Sequence, residues 1–387
     1  MAPRVGGDGM RPSNAMVARS IDRAKEDRLQ ELSQRSTTDP SWSHAGPHGP
    51  TGLGGSGRLN RLVNRPSSTE EWWACAPAGG LWRTLNGGEV WTAMGGQQLN
   101  SIGVSDIAFH PTDSDRMWIA TGDGDYGDTR SIGIWTTGDG GMTWEATGLD
   151  WGTNMGRTLT RILVHPEHPD TLWTSSSLGV YRSINGGDNW IRTISGNFAS
   201  LEIDPSNPGH LLAGEFGNDI AESHDAGATW EVNSLDGASF GISRITLAFA
   251  PSAPDTVYAV AGKTSDQGFA GFWRSTDGGS SWTARMLEGA GPNLLGWTVE
   301  GEDSGGQAWY DLALAVHPEN PNRVHVGGVN LWGTEDGGAQ WQCEAHWYAG
   351  GDLPYLHADQ HGLKYLDDGR MMVANDGGAF LFDPAVP

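Results

Sequence analysis

The sequence predicts a seven-bladed β-propeller made of four-stranded antiparallel blades. Two repeated patterns carry this prediction: an eight-residue motif that recurs six times, and a hairpin pattern whose turn contains proline in every copy but the last, where it is Asp-Asp-Gly. Successive copies of the motif are 40 to 59 residues apart, which is typical of propeller blades. The 58 glycines and 19 tryptophans among 387 residues agree, because a propeller needs many tight turns and large aromatic side chains between its sheets.

The eight-residue motif reads Ser/Thr-x-Asp/Asn-x-Gly-x-x-Trp and predicts a tight turn between the third and fourth strands of a blade. Its Asp or Asn oxygen can accept hydrogen bonds from the backbone N–H groups that follow, and its glycine supplies positive φ. We therefore interpret Asp139, Asp225, Asp277 and Asp336 as turn formers. The six copies are TLNGGEVW (84–91), TGDGGMTW (137–144), SINGGDNW (183–190), SHDAGATW (223–230), STDGGSSW (275–282) and TEDGGAQW (334–341).

The hairpin pattern predicts the first two strands of each blade. Alternating apolar residues enter a proline turn and leave it again, as in IAFHPTDSDRMWIA (107–120). Seven such hairpins can be counted, with a degenerate first copy at 61–76 and a last copy at 362–375. Seven hairpins give seven blades.

The last blade lacks a fourth strand in its own repeat, because GAFLFDPAVP (378–387) supplies a third strand and no further turn. Two alternatives remain open: the N-terminal segment 41–47 completes the blade and covers its edge, or the chain is part of a longer propeller protein. We expect the propeller over residues 41–387 and a disordered or helical leader over residues 1–40.

Composition excludes some partners. The net charge of −23 (24 basic and 47 acidic residues) argues against nucleic acid. No apolar run reaches the ~18 residues of a membrane span, and no signal peptide is visible.

Cys75 and Cys343 are expected to be free thiols. The protein is expected to be a monomer.

The motif resembles the Asp-box, or BNR, repeat of sialidases, sortilin-type propellers and xyloglucanase-type glycoside hydrolases over residues 58–387. The segments GGLWRT, TGDGDYGD, SIGIW, HADQH and NDGG resemble secreted bacterial propellers often labelled glycosyl hydrolases. This resemblance implies a secreted or periplasmic location. The sequence departs from the xyloglucanase pattern at one point, since Pro77 occupies the place of a catalytic aspartate shortly before Gly-Gly.

The links that vary in length lie at one end of the blades, and variable loops on a rigid scaffold are where sites are usually built. Aromatic residues in these links, and arginines near the starts of the first strands, are the candidate ligand-binding residues. The aromatic residues suit either stacking on sugar rings or packing between blades. The candidates are Trp151, Arg157, Arg161, Arg244, Trp297, Trp309, Tyr310, Trp347 and Tyr355.

Two polar segments are candidate sites of chemistry. In HADQH, strand alternation would point His357, Asp359 and His361 the same way, and together with Asp311 they are the candidate catalytic residues. The same cluster suits a metal site or a hydrogen-bonded strand end. A second segment, 121–133, is either a Ca²⁺ site or a solvated acidic loop. Its possible metal ligands are Asp123, Asp125 and Asp128.

These observations favour an extracytoplasmic propeller that binds a carbohydrate or protein ligand at its variable face. The alternative is a glycoside hydrolase of xyloglucanase-like type that acts on a polysaccharide. A scaffold acting in assembly, similar to the plastid photosystem II stability factor, is a third class that the repeats allow.

Overall fold

The computed structural model describes residues 42–44, 57–66, 68–95, 102–235, 237 and 241–383. These residues form seven four-stranded antiparallel sheets, which confirms the predicted seven-bladed propeller. In six blades the strands pair in chain order. The predicted leader, residues 1–40, lies outside the described residues.

Blades 1 to 4 contain sixteen strands of four to six residues each. Blade 1 has β2 (Arg61–Asn64), β3 (Trp72–Ala76), β4 (Gly80–Thr84) and β5 (Trp91–Met94). Blade 2 has β6 (Val104–Phe109), β7 (Met117–Thr121), β8 (Gly133–Thr137) and β9 (Glu145–Asp150). Blade 3 has β10 (Leu159–Val164), β11 (Leu172–Ser176), β12 (Gly179–Ser183) and β13 (Ile191–Ser195). Blade 4 has β14 (Phe198–Ile203), β15 (Leu211–Glu215), β16 (Asp219–Ser223) and β17 (Glu231–Ser234).

The remaining strands form blades 5 to 7. Blade 5 has β18 (Ile242–Phe249), β19 (Val257–Lys263), β20 (Phe269–Ser275) and β21 (Thr283–Leu287). Blade 6 has β22 (Ala313–Val316), β23 (Val324–Gly327), β24 (Leu331–Thr334) and β25 (Gln342–Ala345). Blade 7 has β26 (Gln360–Tyr365), β27 (Met371–Asn375), β28 (Gly378–Phe382) and β1 (Trp42–His44). Two short 3₁₀ helices, Thr153–Met155 and Gly350–Asp352, lie in links between blades.

Blade 7 takes its outermost strand from the N-terminal side of the chain. β1 pairs antiparallel with β28, with Trp42 opposite Phe382 and His44 opposite Phe380. This pairing covers the strand edge that β28 would otherwise present to solvent. The first strands of adjacent blades contact each other around a closed ring, and β26 of blade 7 contacts β2 of blade 1.

The repeated turn, defined as the eight residues of each motif copy, has the expected hydrogen bonds. In blade 2 the Thr137 hydroxyl donates to Asp139 Oδ1 (2.7 Å) and accepts from the Gly141 N–H (3.1 Å). Asp139 Oδ1 also accepts from the N–H groups of Met142 and Thr143. Gly141 has φ +89°, which few other residues adopt. Equivalent bonds form around Asp225, Asp277 and Asp336.

Buried tryptophans tie two of the repeated turns to the neighbouring blade. Trp118 and Trp173, on the second strands of blades 2 and 3, are both 0% exposed. Their indole N–H groups donate to Gly186 O (3.0 Å) and Ala226 O (2.8 Å) in the repeated turns of the next blade. Tryptophan therefore fills the space between the sheets with its rings and fixes the spacing of the sheets with its N–H hydrogen bond. Among large apolar side chains, only Trp and Tyr offer both bulk and a hydrogen-bond donor.

Ser275→Ala is expected to destabilise the propeller by about 1–3 kcal/mol, because it leaves buried polar groups without partners. The Ser275 hydroxyl donates to Asp277 Oδ1 (2.7 Å) and accepts from the Gly279 N–H (2.8 Å), and Ser275 is 1% exposed. Urea unfolding of the purified chain measures the change. The control is Ser252→Ala at an exposed serine of the same blade; equal stabilities for the two variants would contradict the role given to the turn.

Two other sequence predictions can be compared with the structure. Cys75 and Cys343 are free thiols, as expected, and Cys75 is buried. Within the described part of the chain, no helix is long and apolar enough to cross a membrane.

Candidate active site at the propeller axis

Side chains from five blades meet where the first strands converge. We call this group the axial cluster. Arg58 precedes β2, two aspartates follow β7, Arg244 lies on β18, Tyr310 precedes β22, and His361 and Asp376 belong to blade 7. The axial cluster consists of Arg58, Asp123, Asp125, Arg244, Tyr310, His361 and Asp376.

His361 stands between two carboxylates. Its Nδ1 lies 3.2 Å from Asp125 Oδ2, and its Nε2 lies 3.0 Å from Asp376 Oδ1. Arg244 Nη2 lies 2.8 Å from Asp125 Oδ1, and the Tyr310 hydroxyl donates to Asp376 Oδ1 at 2.7 Å. The side chains of Asp125 and Asp376 are 11% and 17% exposed, whereas those of His361 and Arg244 are 0% and 3% exposed. Both carboxylates thus reach solvent while their cationic partners are buried.

This arrangement fixes the charges. Burial alone would lower the pKa of His361, but hydrogen bonds and charge from Asp125 and Asp376 outweigh it and raise that pKa to about 9. Burial would raise the pKa of Asp125, but Arg244 and His361 hold it well below its usual range. At neutral pH the cluster therefore contains an imidazolium and an ionised Asp125.

Raising the pH from 6.5 to 9 is expected to destabilise the fold by about 3 kcal/mol through His361. An unfolded histidine has a pKa of about 6.5, and folded His361 has a pKa of about 9. The folded state therefore holds the extra proton between these values. The stabilisation is complete below pH ~6.5 and is lost as the pH rises through the folded pKa. Urea unfolding at pH 6.5, 7.5 and 9 measures this; His361→Gln should reduce the decline by more than half, and an unchanged slope would contradict the assignment.

Asp123 organises the acidic segment between β7 and β8. Its carboxylate accepts hydrogen bonds from Arg58 and Asn60, and from the N–H groups of Asp125 and Asp128. Asp123 is fully buried, whereas the side chain of Asp128 is 59% exposed. Ca²⁺ at these aspartates stays a prediction, and such an ion would compete with the arginines that hold Asp123 and Asp125.

Asp311 and Asp359 form a second pair of carboxyl groups. Each of these two residues is 1% exposed. Gln307 Nε2 donates to Asp359 Oδ1 at 2.6 Å and lies 3.5 Å from Asp311 Oδ2. Burial and the charge of Asp359 raise the pKa of Asp311 well above its usual value, against the opposing charges of His361 and Arg244. Its surroundings therefore favour the neutral carboxyl group of Asp311.

The HADQH side chains do not share one face of a strand. β26 begins at Gln360, and Asp359 just before it has φ +67°, a left-handed conformation that breaks the alternation. His361 consequently enters the axial cluster, whereas Asp359 meets Gln307. His357 packs instead against the backbone at Gly377, where a Cβ would lie 2.4 Å from its ring.

Aromatic side chains form an exposed surface beside the axial cluster. The ring centroids of Tyr126 and Trp309 are 5.2 Å apart, and Tyr310 lies 5.7 Å and 5.3 Å from them. Tyr126 is 51% exposed and Trp309 is 41% exposed, whereas Tyr310 is nearly buried and packs on His361. We call these three residues the aromatic platform.

The other predicted ligand residues lie elsewhere. Trp151 is 6% exposed and packs against Tyr181, with the Arg157 guanidinium 5.4 Å from its ring. Arg161 pairs with Asp106 (3.1 Å) and Glu202. These three predicted residues therefore have structural partners.

Trp297 and Trp347 form a second exposed aromatic group, each 39% exposed. The Trp347 indole N–H donates to Trp297 O at 3.3 Å, and Tyr348 packs edge-on against Trp347. Tyr355 packs instead against His357 and Phe380.

The sequence did not single out three residues of the site: Tyr126, Gln307 and Asp376. Tyr126 lies in TGDGDYGD and Asp376 lies in NDGG, two segments that carried the family resemblance. The signal was therefore present in the segments, but the partners of each residue come from other blades.

The chain is similar in sequence to known proteins. No family model matches the chain. A xyloglucanase from Paenibacillus sp is 28% identical over 269 residues, which are 66% of this chain and 23% of that protein. The match thus spans about a quarter of the relative's length.

Solved structures establish the fold. A GH74 xyloglucanase from Xanthomonas campestris superposes with a TM-score of 0.60 at 18% identity, over 88% of this chain and 53% of that chain. The structure of YCF48 bound to D1 peptide gives a TM-score of 0.62 at 16% identity, over 90% of this chain and 98% of that chain. The protein is a seven-bladed propeller with sequence similarity to xyloglucanases.

Proposed function

We propose that this glycoside hydrolase-like propeller takes a polysaccharide chain across its axial face and hydrolyses a glycosidic bond there. The observation that carries the proposal is a pair of carboxyl groups whose pKa values are shifted in opposite directions: burial raises the pKa of Asp311, and Arg244 lowers that of Asp125. Glycosidases need such an acid and base, and their pKa values are set apart by their surroundings. Similarity to xyloglucanases supports the same reaction class.

Each group then has a role. Asp311 gives its proton to the glycosidic oxygen as the bond to the anomeric carbon breaks, and Asp125 accepts a proton from the water that attacks that carbon. The water attacks in a single step from the face opposite the leaving group, so the product has inverted configuration. His361, itself held by Asp376, keeps Asp125 in place as an anion on the side of the attacking water.

The aromatic platform supplies the binding surface. Tyr126 is 51% exposed and Trp309 is 41% exposed, and both lie beside the axial cluster. Large, rigid aromatic side chains with few polar groups are the usual lining of ligand sites. A sugar ring stacked there would lie beside the axial cluster that holds Asp125, the proposed base.

Binding without hydrolysis is the second candidate function, and two observations favour it. Asp311 is only 1% exposed, so a substrate does not reach it directly in this conformation. Pro77 stands where the xyloglucanase resemblance would place a catalytic aspartate, and it lies buried in the turn between β3 and β4. A peptide is the competing ligand class, since a propeller of similar fold is described with a bound peptide.

A polysaccharide screen separates these functions. The purified chain is incubated with xyloglucan, mixed-linkage β-glucan, arabinoxylan and mannan, and both reducing-end release and retardation in polysaccharide gels are measured. We expect release from at least one polysaccharide. Retardation without release would establish binding alone. The absence of both retardation and release would overturn the polysaccharide proposal.

We also propose that the protein acts outside the cytoplasm, because its proposed substrate is an extracellular polymer. We further propose that it is a monomer. Cell fractionation and light scattering of the purified chain test these two points. Recovery in the cytoplasm, or a stable dimer, would contradict them.

A further inference from the structure

Blade 4 carries two histidines and a glutamate whose side chains meet at the end of the propeller opposite the axial cluster. Nε2 of His210 and Nε2 of His224 lie 3.2 Å and 3.1 Å from the same oxygen, Oε1 of Glu222. The three ligand atoms all lie within 4.8 Å of one another. Among the described residues, no other group of three His, Cys, Asp or Glu side chains meets this distance.

Neighbouring side chains hold the outer atoms of this group and also contact its central oxygen, Oε1 of Glu222. His210 Nδ1 lies 3.1 Å from Asp204 Oδ2. Asn233 donates to Glu222 Oε2 (3.2 Å), and the Ser280 hydroxyl donates to Glu222 Oε1 (3.0 Å). A carboxylate behind a ligating histidine, and hydrogen bonds to a ligating carboxylate, are the usual outer contacts of protein metal sites.

The fold does not require these three residues, because other blades have different residues at the same places. Glu222 immediately precedes the repeated turn, His224 is its second residue, and His210 immediately precedes the second strand. The residues equivalent to Glu222 are Arg83, Thr136, Arg182, Arg274 and Gly333. Those equivalent to His224 are Leu85, Gly138, Ile184, Thr276 and Glu335. Those equivalent to His210 include Arg116, Thr171, Thr256 and Arg323.

The two nitrogen–oxygen distances suit a small divalent ion, and the exposed His224 ring, which is stacked on His210 with 10° between the ring planes, would turn to direct its Nε2 at that ion. Two ligands at about 2.0–2.1 Å from a tetrahedral ion are roughly 3.3 Å apart, close to the 3.1 and 3.2 Å observed here. His210 and Glu222 are 4% and 3% exposed, whereas the side chain of His224 is 62% exposed. The group is therefore anchored on one side and open to solvent on the other.

We propose that His210, Glu222 and His224 bind one divalent transition-metal ion of the zinc class, with its fourth coordination position open to solvent. Two imidazoles and one carboxylate are a ligand set that zinc takes in proteins. Asp204 holds His210 in the tautomer that leaves Nε2 free for the metal. The Ser280 hydroxyl, in the repeated turn of blade 5, donates to the proposed ligand Glu222.

Zinc titration of the full chain tests this site. The chain is stripped with EDTA, and Zn²⁺ alone is titrated by calorimetry; Co²⁺ in place of Zn²⁺ should give the visible absorption of a tetrahedral site. We expect one tight site. His224→Ala should weaken its affinity at least ~10-fold, and its exposed position leaves the fold intact.

The matched control is His168→Ala, at an exposed histidine in the hairpin turn of blade 3. This variant should bind Zn²⁺ as the wild type does, and Zn²⁺ should raise the Tm of the wild type and of the control but not that of His224→Ala. No stoichiometric binding, or equal affinity in the two variants, would overturn the proposal. Neither readout depends on polysaccharide hydrolysis.

Discussion

Asp311→Asn is expected to lower kcat for polysaccharide hydrolysis by about 10²–10⁴-fold, the usual contribution of a general acid. The variant should be as stable as the wild type. Burial and the charge of Asp359 raise the pKa of Asp311 and so favour its neutral form, and asparagine is a neutral side chain of nearly the same shape. The substitution therefore removes the transferable proton without introducing a charge or a cavity. Initial rates of reducing-end release and urea unfolding measure the two properties.

The matched control for this variant is Asp128→Asn in the acidic segment of the same face. The side chain of Asp128 is 59% exposed, and its substitution should leave kcat within about twofold of wild type. If Asp311→Asn keeps wild-type kcat, Asp311 is not the acid. If it unfolds the protein, Asp311 is ionised and its charge is structural.

Arg244→Leu is expected to destabilise the propeller by about 3–5 kcal/mol, the cost of removing one partner from a buried ion pair. Arg244 is 2% exposed, and its guanidinium holds Asp125 from blade 2 and donates to Tyr310 O at 3.3 Å. Leucine would leave Asp125 with less compensating charge and the Tyr310 carbonyl without this donor. Urea unfolding at pH 7 measures the loss.

Arg192→Leu, at an exposed arginine of blade 3, is the control and should change stability by less than about 0.5 kcal/mol. The double variant Arg244→Leu/Asp125→Asn should recover part of the loss, since the uncompensated charge is gone. An Arg244→Leu protein as stable as the control would show that this pair does not hold blades 2 and 5 together.

The propeller could be predicted because its signals are local. Each repeated turn contains its own hydrogen-bonding residues, such as Ser275 and Asp277, and each hairpin except that of blade 7 contains its own proline. Side-chain partners of these elements lie within a few residues, so one repeat suffices to recognise the pattern. Six copies in register then fix the architecture.

The axial cluster could be predicted only in part, because its contacts join residues far apart in the chain. Arg244 and Asp125 are 119 residues apart, and no local pattern pairs them. The expected alternation of HADQH failed at one residue, Asp359, whose positive φ depends on its surroundings in the fold. Alternation describes a regular strand, and only the last two residues of this segment belong to one.

The histidine group of blade 4 was missed for a similar reason. His210 and Glu222 are 12 residues apart, a spacing with no metal-binding signature. They meet because β15 and β16 pair with Leu211 opposite Ser223 and Leu212 opposite Glu222. Strand register, which the sequence indicates only through the turn, therefore decides which side chains share this end of the blade.

The most direct test of the proposed axial site is the polysaccharide affinity of Asp311→Asn with and without Trp309→Ala. Asp311→Asn should bind its polysaccharide without cleaving it, so a true dissociation constant can be measured by calorimetry. Removing the 41% exposed ring of Trp309 should weaken binding at least ~10-fold, about 1.4 kcal/mol. Equal affinities for the two proteins would contradict polysaccharide binding at the aromatic platform.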